Sequence, residues 1–150
     1  MSFPYTEPTL IKGGLAVDDR GSLRFINDFK FEGVKRFYLI ENHKVDFVRA
    51  WHGHKKEGKY FMVTSGSFLC GAVKIDNWEN PSADLKVNRM VLSAQSPAIL
   101  AIPPGYANGL MSLEPGSKLM VFSSTTLDES LNDDIRFPAR FWNIWSVEER

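Results

Sequence analysis

Short apolar runs alternate with turn signals along the whole chain, and no long stretch repeats its apolar residues with the ~3.6-residue period of a helix. The runs are rich in β-branched and aromatic residues, which favour strands. The polar residues 64–67 between two runs predict a hairpin. We expect an all-β single domain over residues 1–150, a sandwich or barrel, with strands at residues 23–26, 34–40, 47–54, 60–63, 68–75, 85–92, 98–102 and 119–122.

The tail, residues 127–150, differs from this pattern. It is acidic through Asp134 and aromatic afterwards. A short helix is expected there, capped by Asp128 or Ser130, and residues 128–134 are interpreted as a solvated acidic face. Trp142 and Trp145 are expected to pack the tail onto the barrel or onto a partner.

Composition narrows the class of protein. The chain has 150 residues and a formal net charge of zero, so a single domain is expected and a nucleic-acid surface is not. Its single cysteine, Cys70, forms no internal disulfide and is interpreted as a buried apolar residue in a reducing compartment. There is no signal-peptide pattern, and no apolar run approaches the ~20 residues of a membrane span. A cytoplasmic protein without membrane partners is expected.

The candidate chemistry lies in residues 49–60, which contain two of the three histidines. His52 and His54 are spaced i and i+2, so on a strand they point to one face, which is expected to include Ala50. Arg49 precedes them and Lys59 follows. This pattern indicates a metal site or an acid–base site for an anionic ligand, and the bland alternative is a pair of barrel-lining histidines without chemistry.

Two motifs resemble those of the cupins, a family of small jelly-roll barrels (double-stranded β-helices). They are His52-Gly53-His54, followed by Lys59 and Gly66, and the run from Pro103 to Asn108. In metal-binding cupins the first motif supplies two histidines and a glutamate, and the second supplies another histidine. Lys59 stands at the glutamate position and Asn108 at the last histidine position. A lysine ammonium repels a divalent cation, so neither a metal nor another cofactor is expected.

Within the cupins, the chain resembles dTDP-4-dehydrorhamnose 3,5-epimerases over most of its length. The motif His52-Gly53-His54-Lys55 is more similar to the His-Ala-His-Lys motif of dTDP-sugar 3,4-ketoisomerases. Residues 128–130 and 135–136 also have a counterpart in that second group. The resemblance to the epimerases rests on residues 19–21, 49–52, 58–59, 73–76, 102–109 and the ending Ile135…Trp142…Trp145.

The resemblance implies a nucleotide-diphosphate sugar with a 4-keto group as substrate. A base removes a proton beside the ketone, donors hold the enolate, and an acid returns a proton elsewhere. His52 matches the base, and His54 would be a second proton carrier. Lys59 and Arg49 match positions that steady the enolate oxygen and the diphosphate, and Arg20 matches a nucleotide-holding position.

The chain also departs from the epimerase pattern. Thr126-Leu127 stands where the family usually has two tyrosines, one of them the acid. The segment supplying an aspartate that orients the base is not expected, because the sequence ends soon after Trp145. His54, Tyr60 and Tyr106 are alternative acids, and Tyr60 and Asn108 are also expected to contact substrate.

We therefore expect a cofactor-independent nucleotide-sugar isomerase or epimerase of deoxysugar or surface-polysaccharide synthesis. A homodimer is expected, because relatives swap an N-terminal segment and the arm at residues 1–15 could do the same. One alternative is a sugar-nucleotide or carbohydrate-binding cupin without catalysis. Another is a metal-dependent cupin enzyme, which a stoichiometric metal in the purified protein would support.

Overall fold

Strands make up most of the regular structure in the computed structural model, which describes residues 2–150. The one helix within these residues is α1, Leu127–Leu131. The strands are β1 Thr9–Lys12, β2 Gly14–Asp18, β3 Gly21–Phe25, β4 Arg36–Ile40, β5 Val48–His54, β6 Lys59–Ser65, β7 Ser67–Lys74, β8 Val87–Ser93, β9 Ala98–Ile102, β10 Tyr106–Ser112, β11 Lys118–Ser123 and β12 Ile135–Arg136.

The strands form two antiparallel five-stranded sheets that face each other. Their orders are β1-β9-β6-β11-β4 and β12-β5-β10-β7-β8, and β2 and β3 form a separate two-stranded ribbon. Apolar side chains from both sheets meet in one cluster, for example Phe61 and Leu119 from the first sheet and Phe68 and Leu110 from the second. This architecture confirms the predicted all-β jelly-roll class, as two packed sheets rather than one continuous barrel.

The predicted hairpin at residues 64–67 is wrong. Gly66, with a φ of 70°, makes a turn there, but β6 pairs with β9 and β11 whereas β7 pairs with β10 and β8. The chain therefore crosses from one sheet to the other at Gly66. Turn residues specify that the chain changes direction, but they do not specify which strand receives the hydrogen bonds.

The aromatic tail covers the outer face of the second sheet. Trp142 and Trp145 pack against the fully buried Trp51 of β5, and the indole nitrogens of Trp51 and Trp145 both donate to the Ala139 carbonyl, at 3.2 and 2.9 Å. The expectation that these tryptophans pack the tail onto the barrel is confirmed.

The N-terminal arm lies on the outer face of the first sheet. Phe3 packs against Tyr60, which also contacts Phe29. β1 then pairs with β9 of the same chain, with Leu10 opposite Leu100. The arm is thus an integral part of the first sheet.

Helix α1 begins after Thr126, not at the predicted caps Asp128 or Ser130. The Thr126 side chain accepts from the Glu129 amide at 3.2 Å, and the Glu129 carboxylate accepts from the Thr126 amide at 3.0 Å. This is a capping box, which needs a glutamate three residues after the cap. No helix within residues 2–150 is long and apolar enough to cross a bilayer.

Candidate active site

A cavity of about 310 Å³ lies between the two sheets and brings five predicted site residues together. β5 contributes Arg49, His52 and His54, β6 contributes Lys59, and β10 contributes Asn108. The remaining lining residues are Arg36, Tyr38, Leu39, Ile40, Phe61, Leu110, Val121, Ser130, Asp134 and Arg136.

A β-bulge in β5 determines which side chains reach this cavity. Asn108 pairs with His52 and Gly109 pairs with Ala50, so Trp51 is an extra residue without a partner on β10. A bulge shifts the alternation of side chains by one position. As a result, Arg49 faces the cavity together with the histidines, and Ala50 packs with the outer cluster. The expectation that Ala50 shares the histidine face was therefore wrong.

His54 is held in one tautomer. It is 3% exposed, and its Nδ1 lies 2.5 Å from the Asp133 carbonyl oxygen and 3.5 Å from Glu57 Oε1. A carbonyl oxygen can only accept, so Nδ1 carries the hydrogen and donates it. Nε2 then has a free lone pair, and it is buried without a hydrogen-bond partner in residues 2–150. An unpaired buried polar atom costs about 1–3 kcal/mol and calls for a functional explanation.

Both cavity histidines are neutral at pH 7. Burial, reinforced by the nearby Lys59 and Arg136, lowers the pKa of His52 to about 4. Burial and Lys59 also lower the pKa of His54, against the opposing effects of Glu57 and Asp133. Each imidazole can therefore accept a proton at neutral pH, as a general base must.

The cavity lining is cationic. Lys59 is 8% exposed and shares the cavity with Arg36, Arg49 and Arg136, whereas Asp134 is the one carboxylate in the lining. Such a surface favours a ligand carrying several negative charges. In residues 2–150, no group of three or more His, Cys, Asp or Glu side chains is arranged to hold a metal ion.

Three predicted site residues lie outside the cavity. Alternation along β6 directs Lys59 and Phe61 inward and Tyr60 outward. Burial there raises the pKa of Tyr60 to about 12. The expected contact of Tyr60 with substrate in the cavity is therefore corrected. Tyr106 belongs to the apolar interior cluster and does not line the cavity, which corrects its expected role as an acid there. Arg20 lies at the β2–β3 turn, 86% exposed, and pairs with Asp18 rather than with the cavity.

Sequence reasoning missed Tyr38. Of the four tyrosines in the chain, it is the one that lines the cavity, and the Arg36 guanidinium lies 5.1 Å from its ring centroid. Both belong to β4, where Arg36, Tyr38 and Ile40 alternate onto the inner face. Residues 34–40 were predicted as a strand, so that alternation was the available signal.

Sequence reasoning also missed two buried carboxylates. Asp133 was interpreted as part of a solvated face, but it is 7% exposed and accepts from the amides of Lys55, Lys56 and Glu57 at 2.8, 2.8 and 2.9 Å. Glu57 accepts from the Ser123 hydroxyl at 2.7 Å. Burial opposes its ionisation, but the nearby Lys59 and the hydrogen bond from Ser123 outweigh burial and lower its pKa.

Fold and cavity together define a jelly-roll protein with a histidine-bearing internal site suited to an anionic ligand. More particularly, the chain matches the family model described as FdtA: WxcM-like, C-terminal, over residues 7–146, and it belongs to that family. No curated protein sequence matches the chain at a significant level.

Solved structures of two enzyme groups are similar to this chain. A double mutant of the QdtA 3,4-ketoisomerase from Thermoanaerobacterium thermosaccharolyticum, in complex with TDP, is 28% identical, with 89% of each chain covered and a TM-score of 0.68. A further mutant of QdtA, in complex with TDP-4-keto-6-deoxyglucose, is 25% identical, with 93% of this chain and 94% of that chain covered and a TM-score of 0.68. The dTDP-4-dehydrorhamnose 3,5-epimerase from Sulfolobus tokodaii is 26% identical, with 90% of this chain and 80% of that chain covered and a TM-score of 0.71. The resemblance to these two groups is confirmed.

Proposed function

We propose that the protein is a sugar-nucleotide isomerase that acts beside the ketone of a 4-keto sugar joined to a nucleoside diphosphate. The proposal rests on one observation: two neutral histidines, His52 and His54, lie beside Lys59 in a cavity lined by arginines. A neutral imidazole removes a proton, and fixed cations stabilise the negative oxygen that results. The arginines suit the diphosphate.

The reaction is a proton relocation that consumes no other reactant. A histidine takes the proton from the carbon beside the ketone, and the electrons of that C–H bond form an enolate whose oxygen Lys59 holds. In one outcome the enolate oxygen gains a proton, the hydroxyl on the deprotonated carbon loses its proton, and a proton adds to the former carbonyl carbon, so that the ketone moves to the neighbouring carbon. In the other, a proton adds to the opposite face of the deprotonated carbon, the ketone re-forms, and that carbon is inverted. The first outcome is a ketoisomerisation and the second is an epimerisation.

His52 and His54 take different parts in this scheme. His52 is half-buried in the cavity lining, which suits direct contact with substrate. His54 is buried with its Nε2 lone pair free, which suits a second proton carrier. Asn108, paired with His52 across β5 and β10, and Arg49 are proposed to hold the substrate.

Ketoisomerisation is the first candidate, and Tyr38 supports it. The tyrosine pair of the epimerases is replaced by Thr126-Leu127 at the start of α1, whereas Tyr38 brings a phenol into the cavity from β4. We assign Tyr38 as the residue that donates a proton to the former carbonyl carbon or to the enolate oxygen. The similarity to the QdtA 3,4-ketoisomerase favours the same outcome.

Proton NMR of dTDP-4-keto-6-deoxyglucose in heavy water tests the proposal. We expect the protein to introduce deuterium beside the ketone, and the labelled position and product distinguish ketoisomerase from epimerase. His52→Gln should lower this exchange by about 100-fold or more. His43→Gln is the matched control, because His43 lies exposed in the connection between β4 and β5.

Two other outcomes would contradict the proposal. Broadening of the nucleotide signals without any deuterium uptake would indicate a binding protein without catalysis. Equal exchange by the wild type and His52→Gln would place the chemistry elsewhere in the cavity.

We also propose a homodimer. The β2–β3 ribbon pairs with neither large sheet, and it exposes the apolar side chains of Leu15, Val17, Leu23 and Phe25. Leu15 and Val17 lie on one face of the ribbon and Leu23 and Phe25 on the other, so a second copy that contacts both faces would bury all four and would move Arg20 next to another chain. Sedimentation should show a dimer that Val17→Lys and Leu23→Lys weaken, and a monomeric wild type would contradict this.

A further inference from the structure

Asp133 connects the tail to the strand that carries both histidines. Its two carboxylate oxygens accept hydrogen bonds from the backbone amides of Lys55, Lys56 and Glu57, which form the turn after β5. Its main-chain carbonyl accepts the Nδ1 hydrogen of His54. One residue, distant in sequence, therefore binds both the imidazole and the backbone beside it.

The side of the ring that carries Nδ1 faces acceptors only. The Asp133 carbonyl lies 2.5 Å from Nδ1, and Glu57 Oε1 lies 3.5 Å away. In the other neutral tautomer, the Nδ1 lone pair would face these oxygen lone pairs with no hydrogen between them. The arrangement therefore selects the tautomer with hydrogen on Nδ1.

Glu57 is itself fixed, which keeps the second acceptor in place. The Ser123 hydroxyl donates to its Oε2 at 2.7 Å, and Arg36 donates to the same oxygen at 3.3 Å. Oε1 has no hydrogen-bond partner in the described chain and remains directed toward the His54 ring. The Nδ1 side of the imidazole thus faces two fixed acceptors, one from the tail and one from the turn after β5.

We propose that Asp133 is a positioning residue that fixes His54 as the tautomer with a free Nε2 lone pair. Its carboxylate holds the turn at residues 55–57 against the tail, and this holds its carbonyl at His54 Nδ1. The inference deepens the proposed function, because the free Nε2 is the atom that would exchange a proton during isomerisation. The group of Asp133 that binds the ring is its main-chain carbonyl, while its carboxylate binds the turn.

The experiment records the ¹⁵N shifts of the histidine rings in the protein without substrate, for the wild type, Asp133→Ala, Asp133→Asn and Asp128→Ala. The wild type should show His54 with a protonated Nδ1 and an unprotonated Nε2. Asp133→Ala should give a mixture of tautomers, and Asp133→Asn, which keeps one acceptor oxygen, should lie between the two. Asp128→Ala removes an exposed carboxylate of the same segment and should match the wild type.

Steady-state kinetics with dTDP-4-keto-6-deoxyglucose provide the second readout. Asp133→Ala should lower kcat by about 100-fold with a small change in KM, because substrate contacts remain while the proton carrier is misaligned. Asp133→Asn should recover part of that loss. A purely structural role would instead lower the active fraction and leave the kcat of the folded molecules unchanged.

The two readouts separate this inference from the function on which it rests. A wild-type His54 with hydrogen on Nε2 overturns the inference even if neither variant folds. A folded Asp133→Ala protein with the wild-type tautomer and wild-type kcat overturns it as well. If the tautomer is as proposed but no variant or wild type exchanges deuterium into the sugar, the proposed isomerase function fails and the positioning role of Asp133 stands.

Discussion

The two faces of β5 differ sharply, although both belong to one short strand. The inner face carries Arg49, His52 and His54 and borders a cavity of about 310 Å³. The outer face carries Trp51, which is fully buried under the tail tryptophans. The outer face is filled and apolar, whereas the inner face is cationic and partly empty. Stability and chemistry are therefore assigned to opposite faces of the same strand and can be altered separately.

Packing on the outer face leaves no room even for a methyl group at Gly53. A Cβ atom there would lie 2.6 Å from the Trp78 ring and 3.2 Å from the Phe137 ring. Close-packed interiors resist added atoms as well as lost ones. The glycine between the two histidines is thus required by the aromatic cover behind it.

Trp51→Ala should cause the largest loss, because it empties the outer face. We expect the free energy of unfolding to fall by about 3–5 kcal/mol, measured by urea denaturation. Phe37→Ala is the control, since Phe37 is exposed on β4, and it should change the free energy by less than about 1 kcal/mol. Equal losses for the two variants would contradict the assignment of stability to the outer face.

Lys59→Met should instead lower activity without lowering stability. Turnover should fall by about 100- to 1,000-fold because the enolate loses its cation, while the free energy of unfolding is unchanged or higher. The pKa of His52 should also rise above its value of about 4, because Lys59 helps to lower it, and NMR titration measures this. Lys56→Met, at an exposed lysine, is the control and should change neither turnover, nor the free energy of unfolding, nor the pKa of His52. A loss of stability in Lys59→Met but not in Lys56→Met would contradict the assignment of chemistry, rather than stability, to the inner face.

Tyr38→Phe and Tyr60→Phe form a matched pair across the first sheet. Tyr38 lines the cavity and Tyr60 packs under the N-terminal arm. Losing the inner hydroxyl should lower kcat by about 10- to 100-fold, whereas losing the outer one should change it by less than about threefold. Comparable kcat values for the two variants would remove Tyr38 from the mechanism.

The most gradual expected effect, spread over several pH units, is a pH dependence of stability that originates on the inner face. The pKa of His52 is about 4 in the folded protein and about 6.5 in an unfolded chain, so the unfolded state binds more protons between these values. The free energy of unfolding should therefore fall as pH falls from about 6.5 to about 4, by at most about 1.4 kcal/mol per pH unit for this one group. His54, whose pKa is also lowered, adds to the fall.

Urea denaturation at a series of pH values measures this slope. His52→Gln should flatten it, and His43→Gln should leave it unchanged. A slope of the opposite sign, with stability rising toward pH 4, would mean that the cavity histidines are protonated in the native protein.

Strands were predictable where residue type and alternation agree, as in residues 98–102, which match β9. β10 was not predicted, because its Asn108-Gly109 pair resembles a turn and in the structure marks the bulge opposite β5. Cavity residues next to the histidine motif could be found from sequence. The roles of Asp133 and Glu57 could not, because they depend on contacts between segments as far apart as residues 54 and 133. A one-residue bulge likewise leaves no reliable mark in the sequence, and it decides whether Arg49 or Ala50 faces the cavity.

The two-residue strand β12 has a consequence for local stability. It pairs with Gly53 and His52, and Phe137 exchanges two backbone hydrogen bonds with Trp51 just beyond it. Short edge segments open more readily than the sheet they border, and opening this one would detach Asp133 from the turn after β5. The amides of Lys55, Lys56 and Glu57 should then exchange with heavy water at the rate of the β12 amides, faster than those of β10 in the centre of the sheet. Each time β12 opens locally, His54 would briefly lose its fixed orientation while the rest of the fold stays closed. The stability of this edge strand would therefore set how often that happens.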